Sequence, residues 1–540
     1  MISFGKYYAS RRQNAAGRNS KSKPAKRGSL AFQPHEPSQH EKTLEDCANY
    51  LYDLGLENLA IGSGRKTEQQ TVAIFQAYAN LFAPRNIRQT REASESFSRM
   101  PAKKFPERFD RLAWFLLEGL IGRHLAPCDD AAATAIRGAM INVNGAKTPL
   151  PDLQRRLSQE RSADKREQLW SAYVRCVEEK LNPLLVDRNN RFHRTLARHG
   201  FATELQFYSG RKRVSYDDLL AIAKTVSEKT QDVYDEGMSR LVRRQRSGRK
   251  FPGLSRAHES YLLANREFDR IFPARRLLAA ARETFRGLGL DLDGSDIKLE
   301  LETGPASDDG ILCVACNAPA EIRLFLKPRG GAADYAALLH EAGQAWFSAS
   351  MDPRLPFEFR NLGRSRALAE TCAFLLESLL QNEEWLAAVL GLDAAAAAEV
   401  AGRRKLADLY QLRRHIGQFA YAMELQKSPL DNWRNQFNYH HLLSSQTGLN
   451  HDGELYLLDL DRGFGSADRL RARLAAAQLR EHLELRYGQT WFRSSDASRF
   501  LRDLWSKGES WECEEMIETA LNRQAWDPDP LLRRFAGLRG

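Results

Sequence analysis

The run His340-Glu341-Ala-Gly-Gln344 places an imidazole, a carboxylate and an amide within five residues. On a helix, residues four apart share a face, so His340 and Gln344 point the same way. In a His-Glu-x-x-His arrangement, two imidazoles at that spacing hold a zinc ion from one helix face, and the glutamate takes a proton from the metal's water. Here the second donor position is an amide. The dipeptide His-Glu says little by itself, because it also occurs at His35, His40 and His258, and none of these has histidine at the fifth position. Pattern alone leaves His340 open between a metal ligand and an ordinary helix histidine. The pair Cys313-Val-Ala-Cys316 has the spacing of a metal site, but no second pair accompanies it, and on a strand the two thiols would face opposite sides.

The helix that must carry His340 is expected over Asp334 to Trp346, with Tyr335, Leu338, Leu339, Ala342 and Trp346 on its apolar side. Just before it the periodicity changes to that of strands. Asp296 to Glu302 alternates with Ile297, Leu299 and Leu301 on one face; Ile311 to Cys316 is a second strand; Glu321 to Lys327 is a third with Ile322, Leu324 and Leu326 inward, closed by Pro328-Arg-Gly-Gly331. Elsewhere apolar residues recur three and four apart, as in Leu44 to Leu59, Thr71 to Phe82, Phe109 to Leu125 and Tyr216 to Val242. The alanine run Ala394 to Ala398, entered through Asp393, reads as a capped helix. His415, His440 and His441 carry no spacing that demands a ligand role.

A chain of 540 residues that is 43% hydrophobic buries a large core, and its longest apolar stretches, such as Leu112 to Ile121, fall short of a membrane helix. No membrane partner is expected. The start, Met1-Ile2-Ser3-Phe4, lacks the apolar core of a secretory signal, and seven scattered cysteines fit reduced thiols, so a cytoplasmic protein is expected. The formal charge of +11 favours acidic partners, but much of it lies in a basic tail over residues 1–38 and in a cluster from Arg240 to Lys250. The tail reads as solvated and the cluster as cations complementing a helix C-terminus.

Several linked segments resemble the thimet oligopeptidase and oligoendopeptidase F family of zinc metallopeptidases. They include Phe268-Asp269-Arg-Ile-Phe272-Pro273, Leu326-Lys327-Pro328-Arg-Gly-Gly331, Leu338-Leu339-His340-Glu341-Ala-Gly, Leu355-Pro356-Phe357-Glu358 running to Leu362-Gly363, Glu370-Thr-Cys-Ala373-Phe374-Leu375-Leu376-Glu377 and Gly463-Phe464-Gly-Ser466-Ala467-Asp468. Their order is collinear and covers close to half the chain, from about Asn265 onward. The resemblance implies a mainly α fold: a two-lobed helical ellipsoid with a deep central channel and a small antiparallel sheet beside the His-Glu-x-x-Gln helix. It implies a helical lobe over 39–255 and a metallopeptidase-like lobe over 256–540. It also implies zinc as cofactor, Glu341 as general base, His340, Gln344 and Glu370 as ligands, and Glu377 behind them. Glu370 stands 26 residues past Gln344, and the one residue of excess fits in the loop Arg364-Ser365-Arg366.

The chain departs from the family twice. An amide oxygen is a weaker, neutral zinc donor than imidazole, so zinc binding should be weakened or lost. The family's oxyanion-stabilising tyrosines are also missing, since no tyrosine lies between Tyr456 and Tyr487; Arg360 and Arg469 could instead bind a peptide carboxylate. The leading expectation is a catalytically degenerate homologue that binds a peptide or protein partner, with an active homologue among the candidates. An active zinc metallopeptidase is the alternative. A nucleic-acid-associated protein using the basic tail is the third reading, and no nucleic-acid motif supports it.

Overall fold

The computed structural model describes residues 38–98, 107–244, 250–302 and 310–539. The basic tail expected over 1–38 therefore lies outside the described residues save for Ser38, as do Arg246 and Arg249 of the second cluster. Two compact units divide the chain, Met1–Thr43 and Leu44–Gly540. The described part of the first is a helix start, where Ser38 and Glu41 cap one another: Ser38 N–H donates to Glu41 Oε2 at 2.7 Å and Glu41 N–H to Ser38 Oγ at 3.3 Å.

The second unit is mainly helical. The elements used below are helices α1 (Gln39–Gly62), α2 (Arg108–Gly138) and α3 (Tyr216–Arg244), then strands β1 (Ile297–Leu301), β2 (Ile311–Asn317) and β3 (Glu321–Leu326). Helices α4 (Ala332–Ala349), α5 (Ala367–Glu377), α6 (Ala394–Leu425) and α7 (Gly465–Tyr487) follow. All three expected strands and the helix of His340 form where the sequence places them. Asp393 caps α6 through Ala396 N–H at 2.9 Å. Two helices end elsewhere than their periodicity suggests. The one beginning at Thr71 stops at Ala77, and just beyond it the Tyr78 hydroxyl donates to Asp53 Oδ2 at 2.7 Å. Helix α2 instead runs through Pro127 to Gly138, and on this extension Asp130 accepts from Val72 N–H at 3.0 Å.

Strand β3 is central, antiparallel to β2 and parallel to β1. Its position follows from its residues: Ile322, Leu324, Phe325 and Leu326 are all fully buried, as only a strand covered on both faces allows. Ile322, Leu324 and Leu326 join the core with α4. On the other face α1 comes close, and the β2 side chains of Leu312 and Cys316 reach the positions where Gly62 and Gly55 carry no Cβ. Cys313 packs on the α4 side, so the two thiols do face opposite ways. Leu301, expected inward, is exposed at the end of edge strand β1. Packing links the first half of the chain to the second: α3 shares a core with α6 and α7 through Val226, Tyr234, Leu409, Phe419 and Leu470.

Candidate active site

The turn ahead of α4 is set by Gly330 and Gly331, whose φ values of 91° and 93° suit glycine. Asp334 holds this turn from within the helix, accepting from Arg329 N–H at 2.5 Å and Gly330 N–H at 2.7 Å. Tyr335, Leu338, Leu339, Ala342 and Trp346 are buried as the periodicity requires, which leaves His340, Glu341 and Gln344 half-buried.

Helix α5 packs between α4 and α7. The α4–α5 approach depends on Gly343: a Cβ there would lie 2.7 Å from Ala373 Cα and 2.8 Å from Cys372 O. That closeness brings both α5 carboxylates to one imidazole. His340 Nδ1 lies 3.1 Å from Glu377 Oε2, and Nε2 lies 3.2 Å from Glu370 Oε2. The Gln344 amide stands 3.4 Å from the same Nε2. The His340 ring makes a T-shaped contact with Phe374, whose face carries the Arg473 guanidinium. Burial disfavours an imidazolium here, but hydrogen bonds to Glu370 and Glu377 outweigh it and push the His340 pKa up to about 10. Burial also acts to raise Glu370, yet the His340 hydrogen bond and the charges of His340, Arg366 and Arg469 hold it below the usual carboxylate range.

Glu341 leaves α4 toward the sheet, where its Oε2 accepts from Cys313 N–H of β2 at 2.8 Å. Burial pushes its pKa up, against the opposing charge of His340 and this backbone hydrogen bond. Since β2 is an edge strand and its residues alternate in direction, the Cys313 N–H points away from β3 toward the open edge.

The two separations at His340 Nε2 match the donor spacing of a zinc site. Bonds of about 2.0–2.1 Å to a tetrahedral zinc give donor–donor edges of about 3.3 Å. The separations of 3.2 Å and 3.4 Å at His340 Nε2 bracket that value. The assignment of amide oxygen and nitrogen is interchangeable, so Gln344 can present its oxygen there. Glu377 on Nδ1 is the orienting partner that such a histidine needs. In donor strength the fit is poorer. Among the described residues no three His, Cys, Asp or Glu side chains group to hold a metal, and the His340 cluster reaches three donors only through an amide.

The structure thus brings His340, Glu341, Gln344, Glu370 and Glu377 together. Arg360 is committed to carbonyls, its Nε donating to Leu355 O at 3.0 Å and its Nη1 to Ala318 O at 2.7 Å. Arg469 pairs with Asp461 and is near enough to act on Glu370. One contributor has no counterpart in the sequence analysis: Arg404 of α6 reaches Glu377 Oε1 at 3.8 Å. It carries no local signal, because it meets its partner from a different helix. Set against protein-family models and curated proteins, the chain matches none.

Proposed function

We propose that this chain is an oligopeptidase-like metallopeptidase homologue, similar to the thimet oligopeptidase and oligoendopeptidase family. In this reading its site is catalytically degenerate and binds a peptide or a partner protein with little hydrolysis. One observation carries the proposal: the His340 imidazole meets a carboxylate on each nitrogen, and its third neighbour is the neutral amide of Gln344. A protonated imidazole between two carboxylates is content without metal, and a metal must displace that proton to bind.

Zinc, held by His340, Gln344 and Glu370, would supply a Lewis acid and an acidified water. The remaining chemistry belongs to the protein. Glu377 orients His340, and Glu341 can hold a proton beside the edge strand. An extended peptide adds to that edge by main-chain pairing. The Cys313 N–H that Glu341 occupies lies on it, so peptide and carboxylate compete for one donor. The missing tyrosines leave a developing oxyanion with fewer donors, and each lost donor typically costs about a hundredfold or more in rate.

A second reading, an active zinc metallopeptidase with the same residues, is favoured by the donor spacing. Among the described residues no helix is long and apolar enough to cross a membrane. The seven cysteines are all free, which supports a cytoplasmic setting. The discriminating experiment is a quenched-fluorescence peptide library with binding and cleavage read in parallel. The proposal expects binding without turnover, and binding that survives Glu341→Gln. Turnover by the wild type that Glu341→Gln abolishes establishes the active reading instead.

A further inference from the structure

Between α2, the helix Glu204–Lys212 and the segment 361–364 lies a cavity of about 220 Å³, lined among others by Leu51, Arg111, Trp114, Glu118, Arg211 and Arg364. Three guanidinium groups and one carboxylate therefore face a small space. Two of the three are neutralised. Arg211 pairs with Glu118 at 2.7 Å and donates to the carbonyl of Arg364, while Arg364 meets Glu107 at 3.0 Å and Asp110 at 2.6 Å.

Arg111 is differently placed. It is 3% exposed, and among the described residues its Nε has no hydrogen-bond partner. Its Nη1 makes a long contact of 3.4 Å to Leu362 O, and its guanidinium lies 4.9 Å from the Phe359 ring centroid. Burial and the neighbouring Arg364 charge act against its own charge, and Glu512, Glu509 and Glu107 support it only through space, without a hydrogen bond. The Nε of Arg211 is likewise unpartnered. A buried guanidinium left in this condition is costly unless an opposite charge meets it.

We propose that this cavity takes a small oxyanion, held by the fork of Arg111 with Arg211 beside it. A planar guanidinium presents parallel N–H donors that match two oxygens of a carboxylate or a phosphate. The Leu51 and Trp114 walls accommodate whatever apolar part the ligand carries. Gly363 and Arg364 lead into α5, so an occupant braces the segment that precedes Glu370. The inference uses none of the residues assigned above to peptide or metal, and it stands or falls separately from the proposed function.

The test is calorimetric titration of the full chain with inorganic phosphate and, separately, with acetate at constant ionic strength. Saturable binding to one site is expected; phosphate alone, or acetate alone, identifies which oxyanion the cavity selects. Arg111→Met should weaken binding by at least about tenfold while retaining a cooperative melt. Leu51→Trp fills the cavity without touching a guanidinium and should do the same, so it decides the matter if Arg111→Met does not fold. No saturable binding by the wild type, or binding unchanged in the folded variants, overturns the proposal.

Discussion

Replacing Gly343 with alanine tests the helix contact on which the site depends. The added Cβ would sit 2.7 Å from Ala373 Cα and 2.8 Å from Cys372 O, where ordinary contacts begin at 3.4 Å. Both atoms are backbone, so neither can rotate away, and α5 must retreat by several tenths of an ångström to about 1 Å. Overpacking of this kind costs about 1–3 kcal/mol, against which alanine in a helix interior regains about 1 kcal/mol over glycine. Retreat also lengthens both carboxylate contacts to His340, now 3.1 Å and 3.2 Å. Gly402 is the matched control: it lies inside α6 with nothing within 4 Å of its virtual Cβ. Gly402→Ala should therefore stabilise by up to about 1 kcal/mol. Urea unfolding midpoints of the two variants should move in opposite directions, Gly402→Ala upward and Gly343→Ala downward. A Gly343→Ala midpoint at or above that of the wild type refutes the close packing of α4 on α5.

Burial, aided by the charge of Glu512, pushes the Glu509 pKa up to about 8 against the pull of Arg111 and Arg211. The folded state thus binds this proton more tightly than the unfolded chain, so the stability is full below about pH 4.5, falls as pH rises, and levels above about pH 8. Glu509→Gln should remove up to about 5 kcal/mol of that decline, read as urea midpoints at acid, neutral and alkaline pH; an unchanged pH profile contradicts the assignment. Asp408 is buried between Arg473 and Arg534, and although burial acts to raise its pKa the two guanidiniums hold it well below the usual range. Asp408→Asn leaves two buried cations unmatched and should cost about 3–5 kcal/mol, with Arg534→Met in the same chain restoring part of the loss. A double variant no more stable than Asp408→Asn alone would show that the network is not what sets the cost.

The elements that position His340 were legible because each rests on local signals. Alternation marked the three strands, two glycines closed the turn, and a three–four repeat marked α4. What the sequence could not supply is contact between distant segments. The hydrogen bond of Glu341 to Cys313, the commitment of Arg360 to Ala318 O and the arrival of Arg404 at Glu377 all depend on how strands and helices dock. The parallel pairing of β1 with β3 is of the same kind, since alternation fixes a strand's faces and not its neighbour. Leu301 shows the limit of alternation itself: an apolar residue in phase with the buried face stays exposed where an edge strand ends. Local signals also mislead when tertiary contacts override them, as with α2, which continues past Pro127 to bring Asp130 to the next helix start. The Asn144-Gly145 turn is a local signal that the sequence analysis above does not use. Its φ values of 50° and 83° make the hairpin Met140–Val143 to Ala146–Pro149, and the dipeptide alone is a strong hairpin signal.

On the proposed function, the Gln344 amide stands where a stronger donor would complete a zinc site with His340 and Glu370. Zinc titration of the wild type beside Gln344→His, with each protein's metal content measured after dialysis, tests it most directly. Gln344→His should retain one equivalent and bind zinc at least about a hundredfold more tightly, while the wild type should lose most of its metal and show little hydrolysis of peptides. A wild type that keeps one equivalent through dialysis and hydrolyses peptides would contradict it and make Gln344 a working ligand.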